Sequence, residues 1–139
     1  MIQIYTTPSC ASCRKAKKWF DQYKIPYSEK NIFSIKLSKE DIFRMLANSE
    51  NGFDDIISTR SKVFKEKKLD PDNMSVQELI EFIIDYPSVL KRPIIINENE
   101  LQVGYNNEDI TIFLPKGLRN LDSFSDFDAE PINVKYSKK

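Results

Sequence analysis

The sequence predicts one α/β domain, and three observations carry that expectation. The chain opens with a strand, a loop, a helix and a second strand, which together form a βαβ unit. A long central stretch follows with helical periodicity. A wholly apolar run with strand character then returns near residue 94.

Ile2-Gln3-Ile4-Tyr5-Thr6 alternates and is rich in β-formers, so it predicts a strand. Thr7-Pro8 ends it, because proline gives no amide to a ladder. From Ala11 to about Tyr23, the residues Ala16, Trp19, Phe20 and Tyr23 recur at helical spacing among lysines. That spacing makes Trp19 and Phe20 core residues rather than ligand-stacking groups. Ile25-Pro26 closes the helix, and Tyr27 to Ile32 predicts the second strand.

In the middle, Ser38 is an N-cap ahead of Ile42, Phe43, Leu46 and Ala47 on one face. Asn51-Gly52 stops that helix, since glycine tolerates the left-handed conformation of a helix end. Ser58 or Thr59 caps a short helix through about Lys68, and Asp70-Pro71-Asp72-Asn73 is a turn. Ser75 and Glu78 have capping-box spacing before Leu79, Phe82 and Ile83, and Pro87 ends that element. Arg92-Pro93-Ile94-Ile95-Ile96 suits a strand buried on both faces. After a hairpin-like turn at Asn97 to Glu100, Leu101-Gln102-Val103 is a short strand and Asn106 to Leu114 a last helix. Pro115 and Gly117 close the compact part. The expected domain is 1–117, and 118–139 is expected to be a loosely held tail. Four acids there (Asp122, Asp126, Asp128 and Glu130) oppose three late lysines.

Composition narrows the function. With 40% hydrophobic and 30% charged residues, the 139-residue chain is that of a soluble globular protein. Lys plus Arg and Asp plus Glu are both 21, so net charge gives no reason to expect autonomous nucleic-acid binding. Met1-Ile2-Gln3-Ile4 has no basic signal-peptide start, and no apolar run is long enough to span a bilayer. The expected location is the cytosol, with no membrane association.

The chemistry rests on Cys10 and Cys13, in a chain with no other cysteine and no histidine. A zinc site needs about four ligands, and Cys and His supply too few here. No metal and no cofactor is expected. Two small buried side chains are one remaining reading. A redox pair is the other. Pro8-Ser9-Cys10 puts Cys10 at a helix start, where unpaired amides and the helix dipole lower a thiol pKa from about 8.5 into the range ~3.5–7.5. Arg14, Lys15 and Lys17 add positive charge, and Cys13 lies one turn on, within disulfide reach.

The segments "YTTPSCASCRKAKKWF", "DDIISTRSKVFKE" and "LKRPIIINENELQVGYN" resemble, in order and spacing, the Spx family of redox-responsive transcription regulators. That family is a branch of the arsenate-reductase-like thioredoxin fold. The resemblance runs from the first strand to about Pro115. It implies a thioredoxin-like lobe made by the two ends of the domain, with a helical insertion at about 36–89 between the halves of the sheet. It also implies a cis bond before Pro93, beside the cysteine loop.

Two function classes follow from the resemblance. An oxidoreductase of arsenate-reductase type would use Cys10 as nucleophile and an arginine cluster for the oxyanion. Arg60 and Arg92 stand at positions resembling two of those arginines, but the place of a third holds Tyr105, which is no permanent cation. The favoured reading is a non-enzymatic regulator. It would bind the C-terminal domain of the RNA polymerase α subunit under thiol-oxidising stress, with Cys10 and Cys13 as a disulfide switch. The resemblance gives Gly52 a role in that contact, beside its plain reading as a helix cap. It gives Arg60 and Lys62 a place near promoter DNA within the polymerase complex, beside their plain reading as part of a solvated basic face. Arg60 and Arg92 are also candidates for an anion. A monomer is expected. A cytosolic protease with its adaptor is a further candidate partner, although Tyr136-Ser137-Lys138-Lys139 departs from the short apolar tail such control uses.

Overall fold

The computed structural model describes residues 1–115. Along the chain run β1 (Ile2–Thr6), α1 (Ala11–Gln22), β2 (Tyr27–Asn31), α2 (Lys39–Ala47), α3 (Phe53–Ile56), α4 (Lys62–Glu66), α5 (Val76–Asp85), β3 (Ile94–Ile96) and β4 (Leu101–Val103). Short 3-10 turns occupy Pro71–Asn73, Pro87–Val89 and Asp109–Phe113. The sheet order is β2-β1-β3-β4, with β1 parallel to β2 and antiparallel to β3, and β3 antiparallel to β4. The two ends of the described chain therefore build one sheet, and residues between β2 and β3 supply the four helices α2 to α5.

Strand alternation divides the core in two. Tyr5, Ile94 and Ile96 face the helical insertion and pack with Ile42, Met45, Leu79, Ile80 and Ile83. Ile4 and Ile95 face the other way, onto Ala16, Trp19 and Phe20 of α1 and onto Ile110, Phe113 and Leu114. All three β3 isoleucines are buried, as a strand covered on both faces requires.

A buried polar knot ties the insertion to the sheet. Asp41, 6% exposed, accepts a hydrogen bond from the Tyr5 hydroxyl at 3.0 Å and from the Ser38 backbone at 2.8 Å. Ser38 Oγ in turn accepts from the Asp41 amide, completing a capping box. Lys30 and Arg44 stand 3.7 and 3.2 Å from the same carboxylate. Burial alone would raise the Asp41 pKa. The hydrogen bonds from Ser38 and Tyr5, with the Lys30 charge, outweigh it and hold the group below the ordinary carboxylate value.

Several expected details differ. On α2 the inward face is Asp41, Ile42 and Met45, whereas Phe43 is 52% exposed, because the helix turns toward its capped Asp41 and the Tyr5 hydroxyl. That helix stops at Ala47 with Asn48 as its C-cap; Gly52 is instead the N-cap of α3, with φ 66° and ψ −133°. Ser61, not Ser58 or Thr59, caps α4, since the Ser58 amide and carbonyl are already bonded to Val89 and Ser61. The last expected helix shrinks to the 3-10 turn Asp109–Phe113. Asn106 Oδ1 accepts the amides of Glu108 and Asp109, and the β-branched run Ile110-Thr111-Ile112 is a poor helix former. The expected domain end at 117 and the tail 118–139 lie outside the described residues.

Candidate functional site

Thr7-Pro8 halts β1, and the chain turns directly into α1 with Cys10 as its N-cap. Cys10 Sγ accepts the Cys13 amide at 3.0 Å, so the sulfur takes the place a serine or aspartate oxygen usually fills. No acid lies in the first turn to oppose negative charge on that sulfur. Cys10 and Cys13 are joined by a disulfide, with their Cα atoms 5.1 Å apart. Cys13 is buried and Cys10 only half-buried, so an incoming group reaches Cys10 first. Behind the loop, Glu29 accepts the Thr6 hydroxyl at 2.7 Å and Lys17 at 2.9 Å, which pins β1, β2 and α1 together. Burial raises the Glu29 pKa, but these two bonds outweigh it and hold the carboxyl below its usual value.

Cys10 opens onto a cleft of about 670 Å³ lined by Thr7, Pro8, Ser9, Phe33, Ser58, Arg60, Ser61, Ser88, Leu90, Lys91 and Arg92. Three cations and no carboxylate stand in that wall. The half-buried Arg92 lies over the Phe33 ring, 5.9 Å from its centroid, and donates to the Ser88 carbonyl at 3.3 Å. Loss of hydration pulls its pKa below the ordinary value, and no carboxylate among the described residues is within ion-pair reach of it. The Arg92–Pro93 peptide is cis, and Pro93 is buried. A thiolate on Cys10 or a small oxyanion suits such a wall.

Cys10, Arg60 and Arg92 thus share one cleft. Lys62 does not line it: its side chain is 86% exposed and stands 3.8 Å from Glu66. Gly52 also lies elsewhere, between Asn51 and α3, where a Cβ would meet nothing within 4 Å. Asp55 holds this corner by accepting the amides of Glu50 and Asn51, each at 2.9 Å. These amides, the Asn51 amide first, hold the Asp55 carboxyl below its usual pKa, with the Lys91 charge adding to them. Sequence reasoning missed Lys91 and Phe33 as cleft residues. Lys91 sat unremarked inside a quoted motif, and Phe33 carried no signal except its place just after the second strand.

The sequence profile of the ArsC family matches residues 5–113. The global transcriptional regulator Spx 1 of Bacillus cereus is 50% identical over 119 residues, covering 86% of this chain and 91% of that protein. The global transcriptional regulator Spx of Bacillus subtilis is 48% identical over 120 residues, covering 86% and 92%. This chain belongs to the Spx branch of the ArsC family. Its thioredoxin-like fold is shared with a crystal structure of an ArsC-family-related protein from Bacteroides fragilis, at a TM-score of 0.69 and 26% identity over 78% of this chain and 92% of that one. An arsenate reductase from Vibrio cholerae shares the fold at a TM-score of 0.70 and 20% identity, over 81% of this chain and 97% of that one. In this Spx-family chain Tyr105 packs against the α1-side core cluster and stands outside the cysteine cleft.

Proposed function

We propose that this chain is a transcriptional regulator of the thiol and oxidative stress response that acts by holding RNA polymerase. The observation that carries the reading is its 50% identity, over 86% of its length, to a protein named as a global transcriptional regulator. Within that reading, Cys10 and Cys13 are the sensor. A hydroperoxide transfers its terminal oxygen to the Cys10 thiolate, with hydroxide or alkoxide leaving as the O–O bond breaks, and the Cys13 thiol then displaces water from the resulting sulfenic acid to form the disulfide. Arg60 and Arg92 keep the Cys10 side of the cleft positive, and they bind a sulfate-like anion.

The docking partner is the C-terminal domain of the polymerase α subunit, and Gly52 is part of the surface. The corner has open space in front of the glycine, so a partner backbone can approach closely. Lys62, exposed and outside the lining of the cysteines' cleft, contacts promoter DNA only when the polymerase positions it, and Arg60 does so from the cleft rim. The chain works as a cytosolic monomer without cofactor, and a cytosolic protease with its adaptor removes it. The arsenate-reductase reading is the disfavoured one, because the position of the third arginine holds Tyr105, half-buried against the α1-side core cluster.

In vitro transcription with purified polymerase tests this. Adding the protein should change promoter output, and the change should differ between oxidised and reduced protein. An assay coupled to thioredoxin or glutaredoxin should show no arsenate turnover. Multiple turnovers lost in Cys10→Ser, with no effect on transcription, would replace the regulator by the enzyme.

A further inference from the structure

The outer edge of the sheet has a cleft of its own. It holds about 730 Å³, and Glu100, Leu101, Gln102 and Val103 line it in succession. Successive strand residues point to opposite faces, so a wall of consecutive residues runs along an edge. β4 is the last strand in the sheet order, and among the described residues no strand pairs with its outer side.

Register decides which backbone groups that edge presents. Asn97 donates to the Glu100 carbonyl at 3.1 Å, Gly104 donates to the Pro93 carbonyl at 2.8 Å, and Gln102 lies opposite Ile95. By the alternation of an antiparallel ladder, Gln102 turns its N–H and C=O to β3, whereas Leu101 and Val103 turn theirs outward, into the cleft. The two faces beside this edge differ in chemistry. Leu101 and Val103 pack against the apolar cluster of the helical insertion. Gln102 shares its face with Ile95, a member of the α1-side cluster, and Glu100, two residues earlier, takes the same side.

Four carboxylates, Glu50, Asp55, Glu100 and Asp109, line the cleft against one cation, Lys91. Among the described residues no three acidic, histidine or cysteine side chains gather closely enough to hold a metal ion, so these acids are spread along the groove. An extended polycation suits that spread better than a point charge. The Gln102 side chain, 8% exposed, donates from Nε2 to the Gly104 carbonyl at 3.4 Å, while its Oε1 has no hydrogen-bond partner among the described residues. A buried acceptor without a donor is unfavourable, so this wall calls for an N–H donor.

We propose that β4 is a docking edge for an extended peptide segment of a partner protein in which cationic and apolar residues alternate. The backbone of that segment pairs with the outward N–H and C=O groups of Leu101 and Val103 and adds a fifth strand. Its apolar residues lie beside Leu101 and Val103. The lysine or arginine opposite Gln102 donates to Oε1, and its neighbouring cations meet Glu100 and Asp109. A second copy of this chain fits the edge poorly, because its own Glu98 and Glu100 would face these acids. The inference goes beyond the polymerase reading and does not rest on it.

NMR titration of the full chain with a capped hexapeptide that alternates lysine and valine tests it. In millimolar peptide the Leu101 and Val103 amides should exchange at least about tenfold more slowly, while the β1 amides keep their rates. A peptide with glutamate in place of lysine should leave both amides unchanged. Val103→Pro removes an outward donor but no bond to β3, the kind of place where an edge strand tolerates proline. It should weaken peptide binding at least about fivefold, with the β1 and β3 amides as in the wild type. The double variant Glu100→Gln, Asp109→Asn should weaken it as much, and it serves as the test if the proline variant fails to fold. No slowing at Leu101 and Val103, equal binding of the glutamate peptide, or full binding by the double variant would overturn the proposal. So would protection of those amides that rises with protein concentration in the absence of peptide, since the occupant would then be a second copy.

Discussion

Two clefts flank Lys91, and their charges are opposite. The cysteine cleft has Arg60, Lys91 and Arg92 and no carboxylate, whereas the β4-edge cleft has Glu50, Asp55, Glu100 and Asp109 around the same lysine. A net charge of zero therefore conceals two local fields. The cationic cleft sits at a helix N-terminus and suits thiolate chemistry. The acidic one sits along the edge strand β4. The two fields thus occupy separate surfaces joined by the backbone from Lys91 to Val103.

The largest expected effect falls on the cysteine side. Thiol labelling with mass spectrometry should count two reactive thiols in the reduced protein and none after mild oxidant, without dimerisation. Cys10→Ser should abolish the oxidant-dependent loss entirely. Two thiols that stay unreactive in the reduced native protein would break the contrast, since the cationic cleft would then serve no thiolate.

Next comes the charge of that wall. Removing a cation near a thiolate raises its pKa by the order of a unit, so Arg92→Ala should slow alkylation of reduced Cys10 at pH 7 by about three- to tenfold. Asp55→Asn, in the acidic cleft, should leave that rate unchanged. Equal slowing by both variants would mean that the two fields are not separate.

Stability should respond through the Asp41 knot rather than through either cleft. Asp41→Ala removes a capping carboxylate and one of the two acceptors of the Tyr5 hydroxyl, the other being Gln3 Oε1 at 2.9 Å, at about 2 kcal/mol in denaturant unfolding. Asp41 has a depressed folded pKa, so its contribution is present above the unfolded value of about 3.9 and fades as pH falls through the folded one. The gap between wild type and variant should therefore narrow below about pH 4. Ser75→Ala, which opens the capping box of α5 at an exposed end, should cost about 1 kcal/mol, with no effect on Cys10 reactivity.

Most of the fold was legible because its signals are local. Alternation in Ile2–Thr6, helical spacing through Trp19 and Phe20, and the Ser75–Glu78 box each act within a few residues. The inward face of α2 was not, because Tyr5, far away in sequence, recruits Asp41 and turns Phe43 outward. Gly52 was read as a helix end, and its φ of 66° with ψ of −133° serves instead to start α3. Of the cleft, Cys10 was found by its place after a strand, and Arg60 and Arg92 by family resemblance. Lys91 and Phe33 were invisible, since their role is set by which loops the sheet brings together.

The central claim is docking on the polymerase α subunit's C-terminal domain at the Gly52 corner, and titration calorimetry of the full chain against that isolated domain tests it most directly. Gly52 holds a backbone conformation that any side chain strains, at about 1–3 kcal/mol, so Gly52→Ala is the control and Gly52→Arg the probe. The account predicts one-to-one binding by the wild type, near-wild-type binding by a folded Gly52→Ala, and loss of at least about tenfold in affinity for Gly52→Arg. Absence of binding by the wild type in both redox states would contradict it.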